Sequence, residues 1–506
     1  MNRDGALQSI WQTEAAYIPQ STPDPNTVYD VLVIGGGITG LTTAVLLAER
    51  GRKVILAEAH TLGWGTSGGT TAHLNTLLDT TYKQITDNFS EDAAGQIYEA
   101  AKSAIEQIRT LVDRYGIGAD IQAKDGFLFA ETEEEIQALD EAAGSAQKVG
   151  IEVTPTDRIP VPVPFVKAMR FGGQGQFHVT RYLKGLARAF ESMGGVILEN
   201  TPIGTISGDE VLQAETLTGV LQARKVVWAT HIPPGINLLH FRNAPYRSYA
   251  MALRLANESQ LPDAVVYDCK DPYYYYRTQE IDGQRYLIAG GCDHKTGHKE
   301  NTAYVFTELE AYLRRYFDIK EVAFQWSSQY YEPADGLPYI GVLPGHESQY
   351  CGTGYSGNGM IFGTVAGMLL TDMLTGRENA LEDLLKPSRI KPIAGFANFV
   401  KENADVIKEF VGKRFAYETI SELAELAPGE GKLVEYEDKK MALYKDENGR
   451  IIAISPVCTH AGCIVAWNDA EKSWDCPCHG GRFSPDGEVI TGPPRARLEK
   501  IALGDA

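Results

Sequence analysis

Two hydrophobic periods alternate along the 506 residues and predict most of the elements. Residues 31–34 form a short apolar run rich in β-branched side chains, the pattern of a buried strand. A helix over 40–49 and a second strand over 53–57 follow. Apolar residues at helical spacing predict helices over 91–115 and 133–149, with a strand over 126–130 between them. Pro160, Pro162 and Pro164 break the chain. Beyond them the pattern predicts a helix over 181–193 capped by Thr180, and strands over 196–199 and 225–229. Residues 243–340 read as mostly β, with alternating runs at 250–255, 273–277 and 286–289. Asp282-Gly283 is a hairpin turn between the last two. A glycine loop at 352–359 feeds an apolar helix ending near Gly376. Residues 396–415 read as an amphipathic helical connector, and short strands with turns follow from about 420. Residues 1–28, with Pro19, Pro23 and Pro25, read as an extended arm.

The turn after the first strand carries chemistry. Gly35, Gly37 and Gly40 stand in the spacing G-x-G-x-x-G between strand and helix. The first allows a tight turn, the second lets backbone approach a pyrophosphate, and the third lets the helix pack closely on the strand. The helix N-terminus then points free N–H groups at phosphate. Glu58 ends the second strand, where an acid binds a ribose hydroxyl. The set predicts a dinucleotide site.

Composition narrows the classes. A chain of this length suggests about three domains. The formal charge of −19 leaves no basic stripe for nucleic acid. The N-terminal residues have no apolar core of a signal peptide, and no run reaches the ~18 apolar residues of a membrane span. The expectation is a soluble, cytoplasmic protein. Four of the seven cysteines, Cys458, Cys463, Cys476 and Cys478, crowd into one stretch. Such crowding points to a metal site.

Seven stretches in order resemble the FAD-dependent D-amino-acid oxidase family, which includes glycine oxidase, sarcosine oxidase and γ-glutamylputrescine-type oxidoreductases. They are VIGGGITGLTTAVLLAERG with Glu58, GWGTS, FHVTRYLKGLARAFESMGGVILENTPI, KVVWAT, YYYR…LIAGG, YYEPADGLPYIG and TGYSGNGMIFG. The resemblance implies a Rossmann-like FAD-binding domain interleaved with a mostly antiparallel β-sheet substrate domain. The whole unit spans 29–390: FAD-binding parts at about 29–90, 175–240 and 335–385, substrate parts at about 91–174 and 241–334. By the same resemblance Gly35, Gly37, Gly40 and Glu58 hold the ADP half of FAD, with Ile38, Thr39 and Ala59 beside them. Thr66, Ser67, Thr71 and Ala72 run past the pyrophosphate and isoalloxazine, and Ile203 meets adenine. Gly354, Gly357, Gly359 and Met360 sit over the pyrimidine end, where a helix dipole favours the negative charge of reduced flavin. Some relatives tether FAD through a histidine, but the motif around His73 does not align with theirs.

The run DPYYYYRT (271–278) marks the substrate end. On a strand Tyr273, Tyr275 and Arg277 share one face, and Tyr274 and Tyr276 the other. Aromatics also favour strands simply for packing. Tyr274, Tyr276, Arg277 and Tyr249 are the candidate catalytic residues, with Arg277 able to grip a carboxylate in two-pronged fashion. His178 and His231 lie in segments that approach the flavin in relatives.

Residues 458–481 place Cys458 and His460 as C-x-H, and Cys476 and His479 as C-x-x-H. Two cysteines and two histidines suit tetrahedral zinc. Cys463 and Cys478 in matching places are more than zinc requires, and the stretch through GRFSPDGEVITGPPRARL resembles the Rieske iron–sulfur domain. That resemblance implies a small all-β domain over 418–506 after a connector at 391–417. It implies a 2Fe-2S cluster held by Cys458, Cys476, His460 and His479, and a Cys463–Cys478 disulfide. Closing a loop of ~15 residues stabilises by about 3 kcal/mol in the entropy model. Gly481 and Phe483 stand where similar high-potential domains carry hydroxyl donors to sulfur. Their loss predicts a potential in the lower half of the range of roughly −150 to +300 mV.

Together these readings predict a dehydrogenase that oxidises a primary or secondary amine or amino acid by hydride transfer to FAD. Electrons would leave through the cluster to an unknown one-electron acceptor, with homo-oligomerisation left open. Two alternatives remain: an oxidase using oxygen with a structural iron–sulfur domain, and a non-catalytic redox sensor.

Overall fold

The computed structural model describes residues 3–390, 417–420 and 422–503. The expected helical connector lies outside the described residues, apart from Tyr417.

The first sheet takes the strands that the glycine motif organises. Its order is Tyr339–Val342, Gln349–Thr353, Gly219–Trp228, Val28–Ile34, Val54–Ala57, Val196–Leu198. The pairs from Gln349–Thr353 through to Val196–Leu198 are parallel. Such strands are buried on both faces and read as continuous apolar runs, as residues 31–34 do. The helix Ile38–Glu49 follows the first strand, and Gly359–Leu374 packs on it. Contact is close because Gly363 and Gly367 lack side chains: a Cβ there would come within 2.6 Å of Ile38 Cγ2 and of Thr42 Cγ2 respectively.

The second sheet has nine strands and is mostly antiparallel, running from Ile319–Pro333 through Asn243–Leu255, Gln284–Lys295 and Tyr275–Ile281 to Val265–Asp268. Gln122–Ala130 joins it parallel to Val265–Asp268. The hairpin turn at Asp282-Gly283 has positive φ at both residues, 50° and 79°. Two four-stranded sheets, the first from Glu418–Thr419 to Ile451–Ile454 and the second from Ala466–Asn468 to Val489–Thr491, make a small all-β unit at the C-terminal end.

Two local expectations need correction. The helix Val179–Ser192 is capped by His178, whose ring accepts from Arg181 N–H; Thr180 instead donates to Trp11 O at 3.1 Å. The N-terminal arm is not wholly extended. Ile10–Thr13 forms a 3-10 turn, and Arg3, Asp4, Ile10 and Trp11 are buried. Prolines begin only at Pro19, so the stretch before them is free to fold into the body.

Candidate functional site

One cavity of about 810 Å³ runs along the C-terminal ends of the parallel strands. At one end it is lined by Gly35–Thr39, Glu58, Ala59, Thr201 and Ile203. Gly35 needs its φ of +112°, and a Cβ there would meet Ala229 O at 2.4 Å. The helix N-cap is Gly37, and Ser67 Oγ, itself on the cavity wall, accepts from Ile38 N–H at 3.0 Å. Glu58 accepts from Gly36 N–H at 2.6 Å and His60 N–H at 2.9 Å. Burial pushes its carboxyl up against those backbone donors. The middle of the cavity is lined by Thr66, Ser67, Thr71 and His231, and the far end by Gly357, Gly359 and Met360. The N-terminus of Gly359–Leu374 opens there; Asn358 turns its side chain to Asp79 N–H (2.9 Å) instead of capping the helix. A long groove with a helix N-terminus at each end fits a dinucleotide with an extended ring system. Gly40, Ala72 and Gly354 do not line it; Gly40 serves packing, since a Cβ would lie 1.9 Å from Gly35 O.

The far end is walled by Tyr267, Tyr273, Tyr275 and Tyr330 together with His73, Ser248 and Asp293. Of the predicted substrate residues, Tyr274, Tyr276, Arg277 and Tyr249 lie outside this wall. Tyr274 stacks on Tyr312 with centroids 3.8 Å apart, Tyr276 bonds Tyr312 OH, and Tyr249 bonds His294. Arg277 donates from Nε to Thr71 O (2.6 Å) and from Nη1 to Gln279 Oε1 (2.8 Å), leaves Nη2 buried without a partner, and lies over Trp11. Burial lowers its pKa to about 9. His178 is a helix cap, buried and held neutral with its pKa near 4, chiefly by desolvation.

In the C-terminal unit two loops mirror each other. Cys458 N–H bonds Cys463 O (2.8 Å) and Gly462 N–H bonds Cys458 O (3.0 Å). Cys476 N–H bonds Gly481 O (2.7 Å) and Gly480 N–H bonds Cys476 O (3.0 Å). Cys463 and Cys478 are joined by a disulfide, which pins the loops together. Cys458 and Cys476 stay free, buried and hydrogen-bonded to each other. Sulfurs of Cys463, Cys476 and Cys478 lie within 4.8 Å of one another, but two of them are spent on the disulfide. The rings of His460 and His479 stand 4.9 Å apart. His460 Nδ1 and both nitrogens of His479 are buried without a hydrogen-bond partner. Burial, then the neighbouring His460 and His240, lower the His479 pKa to about 3. Two free thiols and two neutral imidazoles with orphaned nitrogens fit a mixed Cys/His iron–sulfur centre.

The two sites adjoin. Val489–Thr491, Gly492, Pro494 and Arg495 of the C-terminal unit line the same cavity. Tyr331 donates to His479 O at 3.1 Å and packs its ring on His231, which lines the cavity, at 4.7 Å. Gln329 Nε2 donates to Gly480 O at 2.9 Å, while Gln329 O accepts from Thr66. A buried ionic network fixes the docking: Arg3 meets Glu471, and Arg482 meets Asp475. Arg247 lies 3.8 Å from Asp475 and bonds Ser327, which also donates to Glu471. Burial pushes Glu471 up, but Arg3, Arg247 and Arg482 outweigh it and hold the carboxyl below its usual range. Sequence reasoning missed these residues, and also Asp293, Arg495 and His240. Glu471, Asp475, Arg482 and Arg495 lie inside the Rieske-like stretch 458–498 without being its ligands, and Arg495 follows the Gly492-Pro493-Pro494 loop; Arg3, Arg247, Asp293 and His240 sit in no motif.

A dinucleotide groove sharing a wall with a Cys/His cluster site defines a flavin-dependent oxidoreductase with an iron–sulfur centre. The family model "FAD dependent oxidoreductase" matches residues 30–373, and "Rieske [2Fe-2S] domain" matches 417–502. The chain belongs to the FAD-dependent oxidoreductase family and carries a C-terminal Rieske domain, with FAD and a 2Fe-2S cluster as its cofactors. It is 31% identical over 502 residues to YhfW of Bacillus subtilis (strain 168), described as a Rieske 2Fe-2S iron-sulfur protein; 98% of each chain is covered. It is 24% identical to γ-glutamylputrescine oxidoreductase of Escherichia coli (strain K12), covering 71% of this chain and 87% of that one. Among solved structures, glycine oxidase from Geobacillus kaustophilus matches with a TM-score of 0.61 at 22% identity. That match covers 72% of this chain and 99% of the other, and shows the fold. Among the described residues no helix is long and apolar enough to cross a membrane.

Proposed function

We propose that the protein is an amine or amino-acid dehydrogenase that discharges its electrons through the Rieske domain to an external one-electron acceptor. The observation that carries this reading is the shared wall: residues of the Rieske domain line the cavity assigned to FAD. An oxidase discharging directly to oxygen has no need of that arrangement. Bound FAD supplies the two-electron acceptor for the C–H bond beside nitrogen, and the cluster supplies a one-electron carrier. The chain's own part is placement. Gly35, Gly37 and Glu58 would hold the ADP half, and the backbone at Gly357–Met360 the ring system. Cys458, Cys476, His460 and His479 would hold the cluster. Tyrosines at the far end screen the reacting carbon from water, which strengthens every polar contact made there. The substrate named for the relative γ-glutamylputrescine oxidoreductase supports the substrate class.

Anaerobic addition of candidate amines to the holoenzyme tests the reading. The flavin absorbance should bleach first and the cluster absorbance second. A flavin that bleaches while the cluster stays oxidised would sink the relay. Stoichiometric peroxide in air, unaffected by replacing His460, would favour the oxygen-using alternative.

A further inference from the structure

The substrate end of the cavity holds a carboxylate with no cation to pair with among the described residues. Asp293 lies on the strand Gln284–Lys295, beyond a register shift opposite Arg247 and Tyr249. It is half-buried because it faces the cavity. Its Oδ2 accepts from Tyr330 OH at 2.8 Å, and Ser248 hydrogen-bonds the same carboxylate. Among the described residues the charged groups acting on it are the carboxylates Asp79 and Asp271 and no lysine or arginine. A carboxylate taken out of water without a countercharge is costly, so the site is built for a cation that the folded chain does not provide.

The surroundings select the donor's charge. Tyr267, Tyr273 and Tyr275 meet His73 and one another edge-on or tilted, with centroids between 5.4 and 6.1 Å apart. Burial, and secondarily Arg277, keep His73 neutral. A second carboxylate, Asp79, accepts from Tyr273 OH and adds negative potential that raises the pKa of Asp293. Among the described residues the one lysine or arginine on the cavity wall is Arg495, contributed by the Rieske domain. Arg277, the only cation in the tyrosine run, is turned to Thr71 and Gln279. Aromatic faces around a carboxylate attract a cation and repel an anion.

We propose that Asp293, framed by Tyr267, Tyr273, Tyr275 and Tyr330, is the anchor for an alkylammonium group, and that the substrate is a cationic amine without a carboxylate beside the nitrogen. The proposal deepens the dehydrogenase reading and rests on it for the meaning of "substrate". The Asp293 carboxylate receives the ammonium N–H, and taking that proton leaves a neutral amine, the form able to lose hydride from its neighbouring carbon.

Benzamidine and benzoate test it. They share shape, carry opposite charge, and have no C–H beside nitrogen to oxidise, so binding is read without turnover. Calorimetry on the FAD-loaded holoenzyme should show benzamidine binding at least tenfold more tightly than benzoate. Asp293→Asn should weaken benzamidine at least tenfold and leave benzoate unchanged or tighter, with flavin content and melting temperature preserved. Benzoate binding as well as or better than benzamidine to the wild type overturns the proposal, even if the variant does not fold. So does an Asp293→Asn protein that holds benzamidine as tightly as wild type. Failure of every amine to bleach the flavin would sink the dehydrogenase reading instead, leaving the cation site standing.

Discussion

His460 Nε2 lies 3.0 Å from His240 Nδ1, which ties a cluster loop of the Rieske domain to the flavin domain. The direction of that bond is fixed by the far side of His240. Its Nε2 is 2.8 Å from Pro233 O, and a carbonyl only accepts, so Nε2 carries the proton and Nδ1 is the acceptor. Burial, the main cause, lowers the His240 pKa to about 4 and keeps it neutral. His460 therefore donates from Nε2, leaving Nδ1, which has no partner, for iron. Such an outer bond makes the imidazole a stronger ligand and favours oxidised metal. His240→Leu should raise the cluster potential. A differential of about 1 kcal/mol corresponds to roughly 40 mV for one electron. Voltammetry of the full chain reads it, and an unchanged or lowered potential contradicts the argument.

The absolute potential is a separate matter. Phe483 is fully buried and offers no hydroxyl, and a Cβ on Gly481 would lie 2.7 Å from Pro494 Cδ. A serine at 481 is thus resisted by packing as well as absent. With neither donor, the extra electron on the cluster is less stabilised, and the potential should fall in the lower half of roughly −150 to +300 mV. A midpoint near the top of that range would show that backbone N–H groups compensate.

How the two domains are held predicts how they fall apart. Glu471 is buried and receives Arg3, Ser327 N–H and Ser327 Oγ. Replacing it with alanine leaves Arg3 with Asp4 as its remaining carboxylate and Ser327 N–H unpaired in a closed interface, and leaving a buried donor unsatisfied costs about 1–3 kcal/mol. Glu471→Ala should lower the melting temperature and split one unfolding transition into two. A single transition at the wild-type temperature would mean that the network contributes little.

Arg495 should matter to the flavin although it belongs to the Rieske domain. It stands 5.8 Å over the Trp228 ring on the cavity wall, and burial alone shifts its pKa, downward, with no carboxylate facing it. An FAD diphosphate is an anion that would meet it. A hydrogen bond to a charged group contributes about 1.5–3 kcal/mol, so Arg495→Ala should weaken FAD binding about tenfold or more. Fluorescence titration of apoprotein with FAD measures this, and equal affinity would place the phosphates elsewhere.

Local patterns made part of this legible beforehand. Strand, glycine turn, helix and Glu58 are consecutive, as are the Cys/His loops, so spacing alone exposes them. The run 273–277 was ambiguous for a physical reason: alternation defines two faces without saying which one meets the cavity. Tyr273 and Tyr275 face it, while Arg277, on the same face, lies further along behind Thr71. Asp293 follows a register shift, so no period could assign its side. His240 sits in the short 3-10 turn Leu238–Arg242, and its partner is 220 residues away.

Asp293 finally predicts a pH dependence. Burial raises its pKa to about 7, with Asp79 and Asp271 adding to the rise while hydrogen bonds from Ser248 and Tyr330 oppose it. The other groups facing it are Tyr273 and Tyr275, both pushed up by burial and uncharged near neutrality. A carboxyl with a raised pKa is protonated below that value and cannot hold a cation. Benzamidine affinity should therefore rise about tenfold per pH unit up to about pH 7 and level off above it. Asp293→Asn should flatten the profile. A profile that is flat in the wild type, or one that keeps its slope in the variant, would assign the titration to another group.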